Sequence, residues 1–151
     1  MLKNLQRSRF VIWTVVILFL IIGLLSAWES VEEDATNTAF IVASKRILEQ
    51  ANRFKQHYLL KGAEQQSDPE SPKSYSSTGW VMPILGSKVD CHYWLDQLYP
   101  PKSILGLDSP RVEDQSDNMQ FHCVYYYGDK YHIDILLKNE RFNVTANILA
   151  L

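Results

Sequence analysis

From Phe10 to Trp28 no side chain carries a charge: FVIWTVVILFLIIGLLSAW. A helix rises about 1.5 Å per residue, so this run spans roughly 28 Å, close to the hydrocarbon core of a bilayer. Beyond it the apolar positions thin out but keep a helical period. Phe40, Ala43, Ile47, Ala51, Phe54 and Tyr58 fall on one side of a helix, flanked by Ile41, Leu48 and Leu59. Lys45, Arg46, Glu49, Arg53 and Gln56 fill the opposite side, with Glu49 and Arg53 in the favourable order for an i,i+4 pair. Lys61 followed by Gly62 reads as a helix stop. The pattern predicts one helix from the apolar run to residue 62, weakest over the acidic and β-branched stretch 29–38.

The rest of the chain breaks into shorter pieces. Residues 63–79, AEQQSDPESPKSYSSTG, have no apolar period and read as a polar loop. The short run 80–85 is interrupted by Pro83, which makes it at best an edge strand. Cys91, Trp94, Leu95 and Leu98 have helical spacing, and Pro100-Pro101 ends that helix. Residues 108–118 form a second polar loop. The last third then alternates over 120–127, 130–138 and 141–149, which predicts a three-stranded antiparallel meander.

Gly128-Asp129 predicts a two-residue type II′ turn, and Asn139-Glu140 a second tight turn. Turn length sets register, and a slip of one residue exchanges the two faces of a strand. With two-residue turns the apolar face collects Val124, Tyr126, Tyr131, Ile133, Ile135, Leu137, Phe142, Val144, Ala146 and Ile148. The other face carries Cys123, Tyr125, His132, Asp134, Asn143, Thr145 and Asn147. An apolar sheet face needs a cover, and the helix stripe from Phe40 to Tyr58 supplies one. The expected class is α+β, a long N-terminal helix packed on a C-terminal antiparallel meander. Its expected parts are a tip (1–9), a spanning helix (10–28), a helical extension (29–62), a polar loop (63–79) and a globular α+β region (80–151).

Charge gives the apolar run a direction. Lys3, Arg7 and Arg9 precede it, and Glu29, Glu32, Glu33 and Asp34 follow. Positive charge stays on the cytoplasmic side, so the N-terminus is expected inside and everything past Trp28 outside, in the periplasm of an inner-membrane protein. A cleaved signal peptide is the rival reading, but its apolar core runs to about 7–15 residues and ends in small side chains, whereas Leu25-Ser26-Ala27 puts leucine at −3. A retained anchor is therefore expected. The outer part, about 120 residues, suffices for one domain. A net charge of −2 without a basic patch argues against nucleic acid. Cys91 and Cys123 form an even pair in an oxidising compartment, which favours one disulfide over free thiols or half a metal site. Closing that loop contributes about 3–4 kcal/mol in the chain-entropy picture.

Catalytic and metal chemistry find little support. His132 and Asp134 share a strand face with Tyr125 opposite, but a zinc site needs three or four ligands, and only His122 and His92 could be brought near. No nucleophile elbow, zinc-protease motif or phosphate-cradling loop occurs. No catalytic residue, cofactor or metal is expected. Asn143-Val144-Thr145 matches a glycosylation sequon inside an expected strand and is not assigned a role. The remaining candidates concern contact with other proteins. On the sheet they are Tyr125, His132 and Asp134. In the span they are the small residues Gly23, Ser26 and Ala27, since helices in lipid select partners by close packing at such positions.

An apolar helix that continues past the membrane, packs on an antiparallel meander and precedes one disulfide resembles the type IV pilin and pseudopilin plan. In detail the chain resembles the MshF family of MSHA (mannose-sensitive haemagglutinin) pilus biogenesis proteins. The residues that carry this are the anchor starting at Arg9-Phe10, HYLLKG at 57–62, TGWVMP at 78–83, and Cys91 with Cys123. Pilins are processed after a glycine and carry glutamate at mature position five, whereas Arg9 and Thr14 stand at those places here. The resemblance thus implies an unprocessed inner-membrane accessory of pilus biogenesis, meeting pilins or pilus assembly proteins through its anchor or its sheet, with a homo-oligomer left open. A bitopic periplasmic ligand-binding or sensor module is the alternative, weakened by a cytoplasmic tip of about nine residues.

Overall fold

Helix α1 spans Leu2–Lys61, so the two periodic segments and the stretch 29–38 between them belong to one element. The computed structural model describes the backbone of residues 2–61 and 73–149, and among these the side chains of 9–26, 34–61 and 73–149. Gly62 and most of the polar loop 63–79 lie outside the described residues. The chain divides into two compact units, Met1–Asn37 and Thr38–Leu151.

In the first unit the side chains from Arg9 to Ser26 are exposed, and this part of α1 is long and apolar enough to cross a membrane. The hydroxyl of Thr14 donates to the Phe10 carbonyl at 2.9 Å, so this polar group is satisfied within its own helix.

The second unit begins with the amphipathic part of α1. Phe40, Ala43, Ile47 and Ala51 are buried, and Phe54 and Tyr58 pack against the same core. A two-stranded ribbon follows, β1 (Ile84–Leu85) with β2 (Lys88–Val89), turning through Gly86 at φ 66°. Helix α2 (Cys91–Leu98) starts where the Asp90 side chain accepts from the Tyr93 backbone N–H, an N-cap. It buries Cys91, Trp94, Leu95 and Leu98, the stripe expected from their spacing. Four antiparallel strands complete the unit in the order β3 (Arg111–Asp114), β4 (Gln120–Tyr127), β5 (Tyr131–Lys138), β6 (Arg141–Ile148).

Two sequence expectations are corrected here. Residues 111–114 are not loop but a short edge strand, paired with β4 from Arg111↔Tyr126 to Asp114↔Cys123. Its three charged side chains hid it, yet an edge strand tolerates charge because one flank and one face meet solvent. The second correction is the register of the first hairpin. Tyr127 pairs with Tyr131, so residues 128–130 form a three-residue connection in place of the expected two-residue turn. Every residue of β4 changes face. Cys123, Tyr125 and Tyr127 point into the core beside Ile133 and Ile135, while His122, Val124 and Tyr126 share the opposite face with His132 and Asp134, Val124 being buried there between its neighbours. The second hairpin has the expected register, with Ile135↔Val144 and Leu137↔Phe142 around Asn139-Glu140.

The observed register buries more and satisfies more. It places two tyrosine rings and a disulfide inside, where each large apolar side chain contributes about 1.5–3 kcal/mol. Both hydroxyls find acceptors: Tyr125 donates to the Cys91 carbonyl at 2.7 Å and Tyr127 to the Lys102 carbonyl at 2.8 Å. Phe40 stacks on Tyr131 with centroids 4.5 Å apart and meets Tyr127 edge-on at 5.3 Å. The disulfide Cys91–Cys123, with Cα atoms 5.7 Å apart, ties α2 to the inner face of β4. Cys123 is therefore not on the outer face, where the two-residue turn had placed it.

Candidate functional site

The outer face of the sheet gathers side chains from all four strands. Asp134 on β5 sits at its centre. His122 Nε2, from β4, lies 3.2 Å from one of its carboxylate oxygens. His132 Nε2, two residues along β5, lies 3.4 Å from the other, to which Asn147 of β6 also donates at 2.5 Å. Alternation along β5 and the pairing Val124↔Asp134 and Asp134↔Thr145 bring these groups to one patch. The Tyr126 ring lies 5.5 Å from the His132 ring, and the Arg111 guanidinium covers the Tyr126 ring at 4.8 Å. Desolvation, and after it the Glu113 carboxylate, raises the Tyr126 hydroxyl above the ordinary tyrosine pKa. His132 Nδ1 is buried and has no hydrogen-bond partner among the described residues.

This patch holds donors and acceptors in fixed positions, but it is not built as a metal centre. The two histidines meet different oxygens of Asp134, and the one facing His132 also accepts from Asn147. Among the described residues these groups do not form a cluster whose ligand atoms all converge. The described cluster with metal-ligand spacing is Cys91, Asp114 and Cys123, and its two sulfurs are consumed by the disulfide. What the outer face can do is present a rigid polar surface to another molecule.

The sequence candidates fall in different places. His132 and Asp134 belong to the outer patch. Tyr125 does not: it is fully buried, its hydroxyl fixed to the Cys91 carbonyl, and Tyr126 takes the surface place expected for it. Burial drives the Tyr125 hydroxyl far above its ordinary pKa, with smaller contributions from Tyr127 and nearby carboxylates. Cys91 and Cys123 lie in the core. Gly23 and Ser26 are exposed on α1, and a Cβ added at Gly23 would meet nothing within 4 Å. The side chain of Ala27 lies outside the described residues. Of the two histidines that the sequence offered as possible neighbours, His122 reaches Asp134. Tyr126, beside His132, and Asn147, which donates to Asp134, were missed, Tyr126 because the expected register placed it inside.

A second feature joins the segments HYLLKG and TGWVMP. The Thr78 hydroxyl donates to Glu140 Oε2 at 2.6 Å, and the Trp80 indole N–H to the Glu140 carbonyl at 3.0 Å. Asn139 and Glu140 both have positive φ, at 50° and 59°, which costs about 1–2 kcal/mol per side-chain-bearing residue. The hydrogen bonds to Glu140 offset that strain. Hydroxyls of Ser76 and then Thr78 hold the Glu140 carboxyl below the usual carboxylate range. Trp80 stacks on Phe142, the Lys55 ammonium of α1 lies over the Trp80 ring at 4.1 Å, and Gly79 admits the Tyr58 ring. Beside this clasp a cleft of about 260 Å³ is lined by Met82, Asp117, Phe121, Leu137 and Glu140.

No protein-family model, no curated protein and no solved structure matches the chain.

Proposed function

We propose that this chain is a non-enzymatic accessory of type IV, MSHA-like pilus biogenesis, acting by contact with pilins or assembly-platform proteins. In this reading the apolar part of α1 anchors it in the inner membrane, with the N-terminus cytoplasmic and the sheet domain periplasmic. The observation that carries the reading is α1 itself. One helix supplies both an apolar stretch long enough to cross a bilayer and the stripe Phe40, Ala43, Ile47, Ala51 that covers an antiparallel sheet. Such a helix is what a pilin-like reading expects. Arg9 and Thr14, at the places where a pilin has its processing glycine and its glutamate, support a retained part over a filament subunit.

The periplasmic ligand-binding alternative draws on the outer patch around Asp134 and on the cleft beside Glu140. Deleting the gene in a piliated host and counting surface pili separates the two. The accessory reading expects few or no pili, restored by the full chain. Unchanged piliation leaves the ligand-binding reading in its place.

A further inference from the structure

Between the turn at Asn139-Glu140 and the turn that leads into β4 lies the cleft of about 260 Å³. Its walls are apolar: Phe121 and Leu137, paired across β4 and β5, with half-buried Met82 and, at the rim, Met119, 82% exposed. Two carboxylates, Asp117 and Glu140, line it as well, and among the described residues no lysine, arginine or histidine does. Lys138 and Arg141 close the hairpin, but they alternate with Leu137 and Phe142 and so stand on the other face of the sheet. Neither carboxylate has an ion-pair partner among the described residues.

Both carboxylates are held in place. Asp117 Oδ1 accepts from the backbone N–H groups of Met119 and Gln120, at 2.7 and 3.0 Å. Glu140 Oε2 accepts from the Thr78 hydroxyl at 2.6 Å. Each side chain thus has an oxygen already engaged, which leaves no pair of free oxygens for the planar fork of a guanidinium. A primary ammonium needs no such pair, being a compact charge with three rotatable donors. Size narrows the choice further. Sites for whole small molecules measure about 300–1,000 Å³, and this cleft falls below that range, with room for a single side chain. A lysine lays its carbon stem along apolar surface and keeps its charged head among polar groups, and methionine side chains adapt to such a stem.

We propose that this cleft takes the lysine side chain of another protein, with its stem against Phe121, Leu137 and the two methionines and its ammonium group toward Asp117 and Glu140. Charge and size choose this occupant without reference to the anchor or to piliation. The chain offers no occupant of its own from segment 62–72, which carries Glu64, Asp68 and Glu70 and no cation.

Met82 and Met119 are two of the three methionines, the third being Met1, so methionine-methyl NMR of the full chain in detergent micelles reads the cleft directly. The probe is N-acetyl-lysine N-methylamide. It should move both signals saturably at millimolar concentration. The norleucine analogue, which has the stem without the charge, should move them at least tenfold less, and the arginine analogue should bind at least threefold more weakly. Glu140→Gln and Asp117→Asn each remove a charge while keeping the oxygen that accepts from Thr78 or from the Met119 and Gln120 N–H groups. Either should raise the half-saturation concentration at least threefold. No saturable shift, an equal response to the norleucine analogue, or an unchanged half-saturation in the folded variants overturns the proposal. An arginine analogue that binds as well as the lysine probe overturns the choice of lysine. n-Pentylamine binding tenfold more tightly than the probe overturns the protein source in favour of a free amine. Signals that move with protein concentration alone overturn it in favour of a second copy. None of these outcomes depends on piliation.

Discussion

Gly79 is the residue on which the junction between α1 and the 76–80 segment turns. It sits at φ +89°, and a Cβ built on it would lie 2.6 Å from Tyr58 Cδ1 and 3.2 Å from Cγ. Gly79→Ala therefore meets two obstacles. A side-chain-bearing residue in the left-handed region costs about 1–2 kcal/mol. Overpacking against a ring that is itself held on Tyr75, with centroids 5.1 Å apart, adds about 1–3 kcal/mol. The sum, about 2–5 kcal/mol, corresponds to a fall in Tm of roughly 8–20 °C for a domain of this size. Near-ultraviolet circular dichroism of the full chain in detergent follows the unfolding. The two contributions separate in a double-mutant cycle, since in a Tyr58→Ala background Gly79→Ala should cost only the backbone part, about 1–2 kcal/mol. A Gly79→Ala protein that melts with the parent refutes the reasoning. An equal cost with and without Tyr58 refutes the ring contact.

Exchanging Cys91 and Cys123 together for serine should lower stability by about 3–4 kcal/mol, because the bridge closes a loop with sequence separation 32; equal Tm values for the oxidised and reduced full chain would show otherwise. Tyr125→Phe removes the donor to the Cys91 carbonyl and should cost about 1–2 kcal/mol at neutral pH, read by chemical denaturation. Alkaline stability should respond as well. Burial raises the folded-state pKa of Tyr125 and Tyr127 above the unfolded value of about 10, so the folded chain keeps protons that the unfolded chain loses. Their contribution is fully present below pH 10 and shrinks above it, by up to about 1.4 kcal/mol per pH unit for each tyrosine. Tyr125→Phe should flatten that decline between pH 10 and 11, and an unchanged slope would count against the burial of its hydroxyl.

The elements with a strong period were legible from the sequence. The α1 stripe, the α2 stripe and the three C-terminal strands appear within a residue or so of their expected bounds, because each carries a sustained apolar period. The face of β4 was not legible from alternation, since His122 to Tyr127 offers plausible apolar residues at both parities. A signal for the correct face was nonetheless present. Cys91 lies on the buried stripe of α2, so its partner Cys123 had to point into the core, and this alone fixes a three-residue connection after Tyr127. With that register His122 and Tyr126 move outside, and the patch around Asp134 follows. β3 lacked any such signal, being a four-residue strand with one apolar side chain, Val112, whose formation depends on β4 being in place.

The claim that this chain works by contact with pilus components is tested most directly by what it binds in the membrane. The full chain would be purified in mild detergent from a piliated host, with an unrelated single-span protein purified in parallel, and the co-purifying membrane proteins quantified by mass spectrometry. The account predicts enrichment of pilins or assembly-platform proteins. It also predicts a several-fold loss of that enrichment in Gly23→Leu, at a position where an added Cβ meets nothing within 4 Å among the described residues and a larger side chain would stand between α1 and a neighbouring helix. Enrichment no greater than that of the unrelated anchor would contradict the proposed function.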